Sequence, residues 1–195
     1  MNDALAKVYL IRHGETLWTV SGQHTGRTDI PLTEQGEDDA RKLNVLLKGI
    51  NFVKVLTSPL QRAWRTAELA GFGASTQSDF DLMEWDYGSY EGRRTADIRA
   101  ERPGWRLFID GCPGGETLAQ VSMRADRVIG RVRAAGGDVL IFAHADILRV
   151  IIARWLNLSA REARHFYLTT AALIILGYDH DLDEPVICLL DSGQR

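Results

Sequence analysis

The run Val139-Leu140-Ile141-Phe142-Ala143 restricts this chain more than any other feature. It is five consecutive apolar residues, with Gly136-Gly137 shortly before and His144 directly after, so it has no polar face. Such a strand must be covered on both sides, as the inner strands of parallel sheets are. The rest of the sequence supplies the cover. Val8-Tyr9-Leu10-Ile11 is a second apolar run, ending in Arg12-His13-Gly14, and Val53 to Thr57 reads as a third short strand, closed by Ser58-Pro59. Thr33 caps a predicted helix to about Leu47, with Ala40, Leu43 and Leu47 on one face and Gly49 ending it. Leu60, Ala63, Trp64 and Ala67 carry helical spacing directly after the third run, and Gly71 and Gly73 stop it. Thr117 to Arg133 is the clearest helix, striped by Leu118, Val121, Ala125, Val128 and Val132. A buried helix is expected from about Ile147 to Leu156, and two last strands at Leu173–Leu176 and Val186–Leu190, joined by the acidic turn Asp179–Glu184.

Strands and helices alternate through the first 157 residues. That order predicts an α/β fold: a doubly wound, mostly parallel central sheet with helices on both faces. Residues 1–195 read as a single domain. The polar stretch Thr16 to Pro31 reads as a loop. Residues 81–116, rich in glycine and aromatics, carry no clear period; they are expected to form an excursion over the active site, with one short helix near Ala96–Glu101.

Composition narrows the partners. The net charge is −3, which gives no broad basic surface for nucleic acid or an anionic membrane, and an anionic ligand would need a local basic pocket. No apolar run approaches the ~18–20 residues of a membrane span; the longest, Ile147 to Leu156, is broken by Arg149 and Arg154. Cys112 and Cys188 form neither a disulfide framework nor a metal knuckle, and Met1 to Lys7 lack the pattern of a signal peptide. A reduced, cytoplasmic protein is the expectation. No histidine or cysteine pair with ligand spacing is present, so no metal and no cofactor are expected.

In doubly wound sheets, ligands bind beyond the carboxyl ends of the strands. The first strand delivers Arg12 and His13 there, the second Ser58 with Arg62 one turn into the next helix, and the central strand His144. Two histidines and two arginines converging on one crevice suit phosphoryl transfer. An imidazole can attack phosphorus and carry the group covalently, while arginines hold the phosphate oxygens. Arg62 at a helix start is electrostatically odd unless an anion sits beside it. An acid is also needed, to protonate the leaving oxygen and then activate water. Glu15, Glu84, Asp86, Glu91 and Asp146 are all candidates.

The run Leu10-Ile11-Arg12-His13-Gly14-Glu15-Thr16 resembles the signature of the histidine phosphatase superfamily, the phosphoglycerate-mutase-like proteins. The likeness continues through Gly22–Asp29, Pro31-Leu32-Thr33, Gly36, Ser58–Ala63, Glu84–Gly92, Gly115-Glu116 and Phe142-Ala143-His144. The resemblance implies His13 as nucleophile, Arg12, Arg62 and His144 on the transferring phosphoryl group, and Glu84 as proton donor, without a metal. It further implies that Thr19, Gln23, His24, Thr25 and Gly26 line the substrate pocket. The loop and the later segment Asp110–Glu116 look closest to the sugar-bisphosphatase-like branch, so a small phosphorylated metabolite is the expected ligand.

Two positions depart from the family pattern. Ala145 stands where a glycine usually follows the second histidine; its methyl group crowds the phosphate unless the backbone there is already helical. Asp146 puts a carboxylate near an anion site, which disfavours a second phosphate. Two rival functions follow: a phosphomutase, which must exclude water from its phosphohistidine, and a non-catalytic phospho-ligand sensor. The short 81–116 excursion favours access of water and hence a phosphatase. His165 and His180 read as surface groups and the acidic cluster at 179–184 as a solvated turn, while Arg93, Arg94 and Arg99 are candidates for a second phosphate.

Overall fold

A computed structural model describes residues 5–191. In chain order the elements are β1 (Val8–Arg12), α1 (Leu17–Ser21), α2 (Glu34–Leu47), β2 (Lys54–Thr57), α3 (Gln61–Leu69), β3 (Thr76–Ser78), α4 (Thr95–Glu101), α5 (Leu107–Asp110), α6 (Leu118–Arg133), β4 (Val139–Ala143), α7 (Ala145–Trp155), β5 (Leu173–Tyr178) and β6 (Pro185–Asp191). The six strands form one sheet in the order β3-β2-β4-β1-β5-β6. β3, β2, β4 and β1 run parallel, and β5 and β6 add an antiparallel edge. The mostly parallel sheet matches the expectation.

The central run occupies β4 over its expected length, and all five residues are buried. Its alternate residues face opposite ways. Val139, Ile141 and Ala143 join Val8 and Leu10 of β1 in a core built with α6 and α7. Leu140 and Phe142 join Tyr9 and Ile11 in a second core with Leu43 and Leu47 of α2 and Ala67 of α3. Thus helices cover both faces.

The local signals hold where they were strongest. The Thr33 side chain accepts from the Gly36 amide at the start of α2. Thr117 and Gln120 form a reciprocal cap on α6. Four details differ. The loop from Thr16 contains the five-residue α1, capped by Thr16. β2 begins at Lys54 because Val53 lies outside the sheet and is exposed. The polar edge strand β3 has no apolar period to announce it. Finally, α7 starts at Ala145, two residues early, with His144 in the extended conformation of an N-cap.

Candidate active site

Register places the two histidines side by side. Arg12 at the end of β1 pairs with Ala143 at the end of β4. The next residues are His13 and His144, with ring centroids 5.2 Å apart. The His13 amide donates to the Ala143 carbonyl (2.9 Å), and the Ser58 amide beyond β2 donates to Phe142 (3.0 Å). Three neighbouring parallel strands therefore end around one point. Gly14 and Gly36 let the turn after His13 pack tightly. A β-carbon on Gly14 would lie 2.4 Å from the Gly36 carbonyl oxygen, and one on Gly36 would lie 2.2 Å from that of Glu15.

His13 is buried. Its Nδ1 lies 2.7 Å from its neighbour's carbonyl, Gly14 O, which can only accept, so Nδ1 carries the proton and Nε2 the lone pair. Burial, then Arg62, then Arg12, holds the ring well below the ordinary histidine pKa. A neutral imidazole with a free Nε2 electron pair is what attack on phosphorus requires. Arg12 donates through Nη1 to the Leu168 carbonyl, while its buried Nε has no hydrogen-bond partner among the described residues.

Arg62 is fully buried. Its Nε donates to His144 Nδ1 (3.0 Å), and its Nη atoms donate to the carbonyls of Thr28 (2.9 Å), Thr25 (3.1 Å) and Gly26 (2.9 Å). The cation at the start of α3 is thus met by uncharged acceptors, and it clamps the 25–28 loop. His144 accepts on Nδ1, so its Nε2 carries the proton, 2.7 Å from Ser58 Oγ. Burial and then Arg62 keep it well below the ordinary pKa. Both of its ring nitrogens are engaged by protein.

The five acidic candidates separate cleanly. Glu15 accepts from Thr33 Oγ1 (2.7 Å), tying the β1 turn to the cap of α2. Asp86 accepts from the Gly88 amide (2.9 Å). Glu91 accepts from the amides of Gly26 (2.9 Å) and Thr28 (3.1 Å) and so shapes the same loop that Arg62 clamps. Glu84 is buried at the start of α7 and accepts from the amides of Asp146 and Ile147, each at 3.0 Å, and of Trp85 (2.9 Å). Burial first, then the Asp146 charge, raises its pKa from 4.5 to about 7, against the opposing effect of those amides. Asp146 accepts from Tyr87 Oη (2.5 Å) and Arg149 (2.8 Å).

The loop residues have partners within the protein. Thr19 is spent on the cap of α1, bonded to the Thr16 amide and carbonyl. Gln23 spans Ser21 and the Gly92 carbonyl, and the Thr25 hydroxyl donates to the Gln23 carbonyl. Gly26 has no room for a side chain: a β-carbon would lie 2.5 Å from both Glu91 and the Trp85 carbonyl oxygen. Of the five, His24 lines a cavity of about 420 Å³ together with Asp146.

Two residues of this region escape sequence reading. Tyr87 is buried against Asp146 and beside His24. Arg124 donates to the carbonyls of Asp81 and Met83 (2.7 Å each) and to both Glu116 oxygens (2.8 Å each), holding the backbone just before Glu84. Its signal was a charge at helical spacing on the buried stripe of α6, three residues after Val121.

Residues 8–187 match the histidine phosphatase superfamily (branch 1). An acid phosphatase of Mycobacterium tuberculosis is 39% identical over 178 residues, covering 89% of this chain and 87% of that protein. A sedoheptulose 1,7-bisphosphatase of Saccharomyces cerevisiae is 32% identical, covering 99% and 87% respectively. A solved structure of an open reading frame product from Mycobacterium tuberculosis superposes with a TM-score of 0.90 at 37% identity, over 95% of this chain and 97% of that one. With its strands, helices and paired histidines arranged as described, the chain belongs to the histidine phosphatase superfamily, as its motifs led one to expect.

Proposed function

We propose that this protein hydrolyses a small phosphomonoester, a sugar phosphate or bisphosphate, through a phosphohistidine on His13. The observation that carries the proposal is the buried, neutral His13 with its Nε2 electron pair free, set between two arginines at the ends of the parallel strands. Its Nε2 attacks phosphorus as the bond to the leaving oxygen breaks. Arg12 and Arg62 hold the phosphoryl oxygens as charge spreads over them. Glu84 carries a proton up to about pH 7 and delivers it to the departing alkoxide. As a carboxylate it then takes a proton from water, which attacks the phosphohistidine and releases phosphate.

In this mechanism His144 acts first by fixing Arg62, whose Nε it accepts. Donation from His144 Nε2 to the phosphoryl group requires it to exchange Ser58 for a phosphate oxygen. The two arginines supply the positive charge, so no step calls for a metal. Residues 81–116 would form one wall of the site through Glu84 and Tyr87. Names among the relatives, an acid phosphatase and a sedoheptulose bisphosphatase, support the hydrolytic outcome and the sugar-phosphate class. No helix among the described residues is long and apolar enough to cross a membrane. The two free thiols support a reduced, cytoplasmic setting.

The test is kcat/KM across sugar mono- and bisphosphates, phosphoglycerates, nucleotides and phosphopeptides, read as released phosphate. A sugar phosphate or similar polyol phosphate should lead. A nucleotide or phosphopeptide ahead by about tenfold would overturn the substrate class and leave the chemistry standing.

A further inference from the structure

Arg62 is fully buried, and the groups that accept from it are all uncharged. Four of its five N–H groups are engaged: Nε by His144, one on Nη1 by the Thr28 carbonyl, and both on Nη2 by the carbonyls of Thr25 and Gly26. One N–H on Nη1 is left for a phosphoryl oxygen. The aim of the guanidinium is therefore decided by the loop that holds it. That loop is held from its other side by Glu91, whose Oε1 accepts from the amides of Gly26 (2.9 Å) and Thr28 (3.1 Å). The peptide between Thr25 and Gly26 thus lies between two charged groups. Its N–H points to the Glu91 carboxylate, and its C=O accepts from Arg62 at 3.1 Å. A peptide dipole aligned in this way is favourable at both ends, and hydrogen bonds in series polarise one another. Glu91 Oε2 is buried and has no hydrogen-bond partner among the described residues, so the hydrogen bonds of this carboxylate go to the loop alone. Backbone pairing delivers Glu91 to its place: the Gly92 amide donates to the His24 carbonyl and the His24 amide to the Arg93 carbonyl, each at 2.9 Å.

We propose that Glu91 is a positioning residue for phosphoryl transfer, which aims the Arg62 guanidinium through the Thr25–Gly26 peptide without touching the substrate. A buried cation needs compensation, but a carboxylate in direct contact would take donors from the guanidinium and compete with the phosphate for it. Set one peptide away, Glu91 compensates part of the burial, fixes the direction of the side chain and leaves its last N–H to the phosphoryl group. The effect passes on to His144, whose Nδ1 accepts from Arg62 Nε. The proposal rests on the phosphatase function above and adds to that site a residue that acts through another.

The test is a double-mutant cycle between Glu91 and Arg62, read both by calorimetric binding of orthovanadate, a phosphate-like anion, and by kcat/KM on an alkyl phosphate. Glu91→Ala should weaken vanadate binding and lower kcat/KM, each by about tenfold or more. Glu91→Gln, whose Oε1 can still accept from both amides, should recover part of that loss. Arg62→Lys keeps the charge but lacks the planar fork. In that background, Glu91→Ala should cost less than about threefold more, because the group it acts through is already gone. The alkaline limb of the pH profile, set by Glu84, should stay in place in Glu91→Ala. Circular dichroism and denaturant titration check that each variant is folded. Should Glu91→Ala fail to fold, Glu91→Gln carries the cycle, with the same non-additivity expected. If no phosphomonoester is hydrolysed, the proposed function falls, while vanadate binding still decides the role of Glu91. Unchanged vanadate binding in folded Glu91→Ala, the same loss in the wild-type and Arg62→Lys backgrounds, or a shifted alkaline limb would overturn the proposal.

Discussion

Replacing Asp146 by asparagine should move the pH profile of the enzyme in a calculable direction. Glu84 sits at about 7 instead of 4.5, a difference of roughly 3.5 kcal/mol at about 1.4 kcal/mol per pH unit. Burial is the larger cause and the Asp146 charge the second. Asparagine keeps the shape and an acceptor for Arg149 or Tyr87, but removes the charge. The pKa of Glu84 should fall by part of that rise, since burial, the larger cause, remains. Glu84 must be protonated to act as the acid, so kcat/KM falls as pH rises through its pKa in the free enzyme. The alkaline limb of the wild type should therefore lie near 7, and that of Asp146→Asn below it. Above the limb, the variant should be slower than the wild type, with the acidic plateau little changed. An alkyl phosphate is the substrate of choice, because its leaving group depends on the acid. Its own phosphate ionisation is common to both proteins and cancels in the comparison. Tyr87→Phe leaves the Asp146 charge in place and should keep the limb near the wild-type position. An alkaline limb that stays put in Asp146→Asn, or moves upward, would refute the assignment of Glu84 as the acid and of Asp146 as the residue that raises it.

Other outcomes follow from the same contacts. Glu84→Gln should lower turnover of alkyl phosphates by about 10²-fold or more, and of p-nitrophenyl phosphate by much less, since p-nitrophenolate departs without a proton; equal losses would make Glu84 a binding residue. Arg124→Ala should destabilise the fold by about 2 kcal/mol or more in denaturant titration, because it takes one cation from the half-buried Glu116 and frees the carbonyls of Asp81 and Met83 just before Glu84; a change under about 1 kcal/mol would mean that these contacts matter little. Ala145→Gly should change kcat/KM by less than about tenfold, since residue 145 is already the first helical residue of α7; a rise of several hundredfold would show a site disabled by that methyl group.

What could be read from the sequence was whatever local physics determines. β4 was legible because a run with no polar face has one solution, and α6 because its cap and its stripe agree. His13 and His144 were legible as strand-end residues, since the turn into a helix must occur there. β3 was not, because Thr76-Gln77-Ser78 lies at a solvated edge where no alternation is needed. The choice among five carboxylates was not either. Their separation rests on partners distant in sequence: Thr33 for Glu15, Gly26 for Glu91, and the start of α7 for Glu84. Arg62 shows the limit of a correct observation. Its charge at a helix start did call for acceptors, and loop carbonyls with His144 supply them before any phosphate does.

The central claim is the covalent intermediate, and it can be trapped. Mix the protein with a phosphorus-labelled small phosphomonoester, quench within a turnover in alkali, and digest for peptide mapping. Label should appear on the peptide containing His13, survive alkali and be lost in acid, as a phosphoramidate is, and it should be absent from His13→Ala. An actively hydrolysing protein with no such species, whose His13→Ala variant keeps full turnover, would contradict the account.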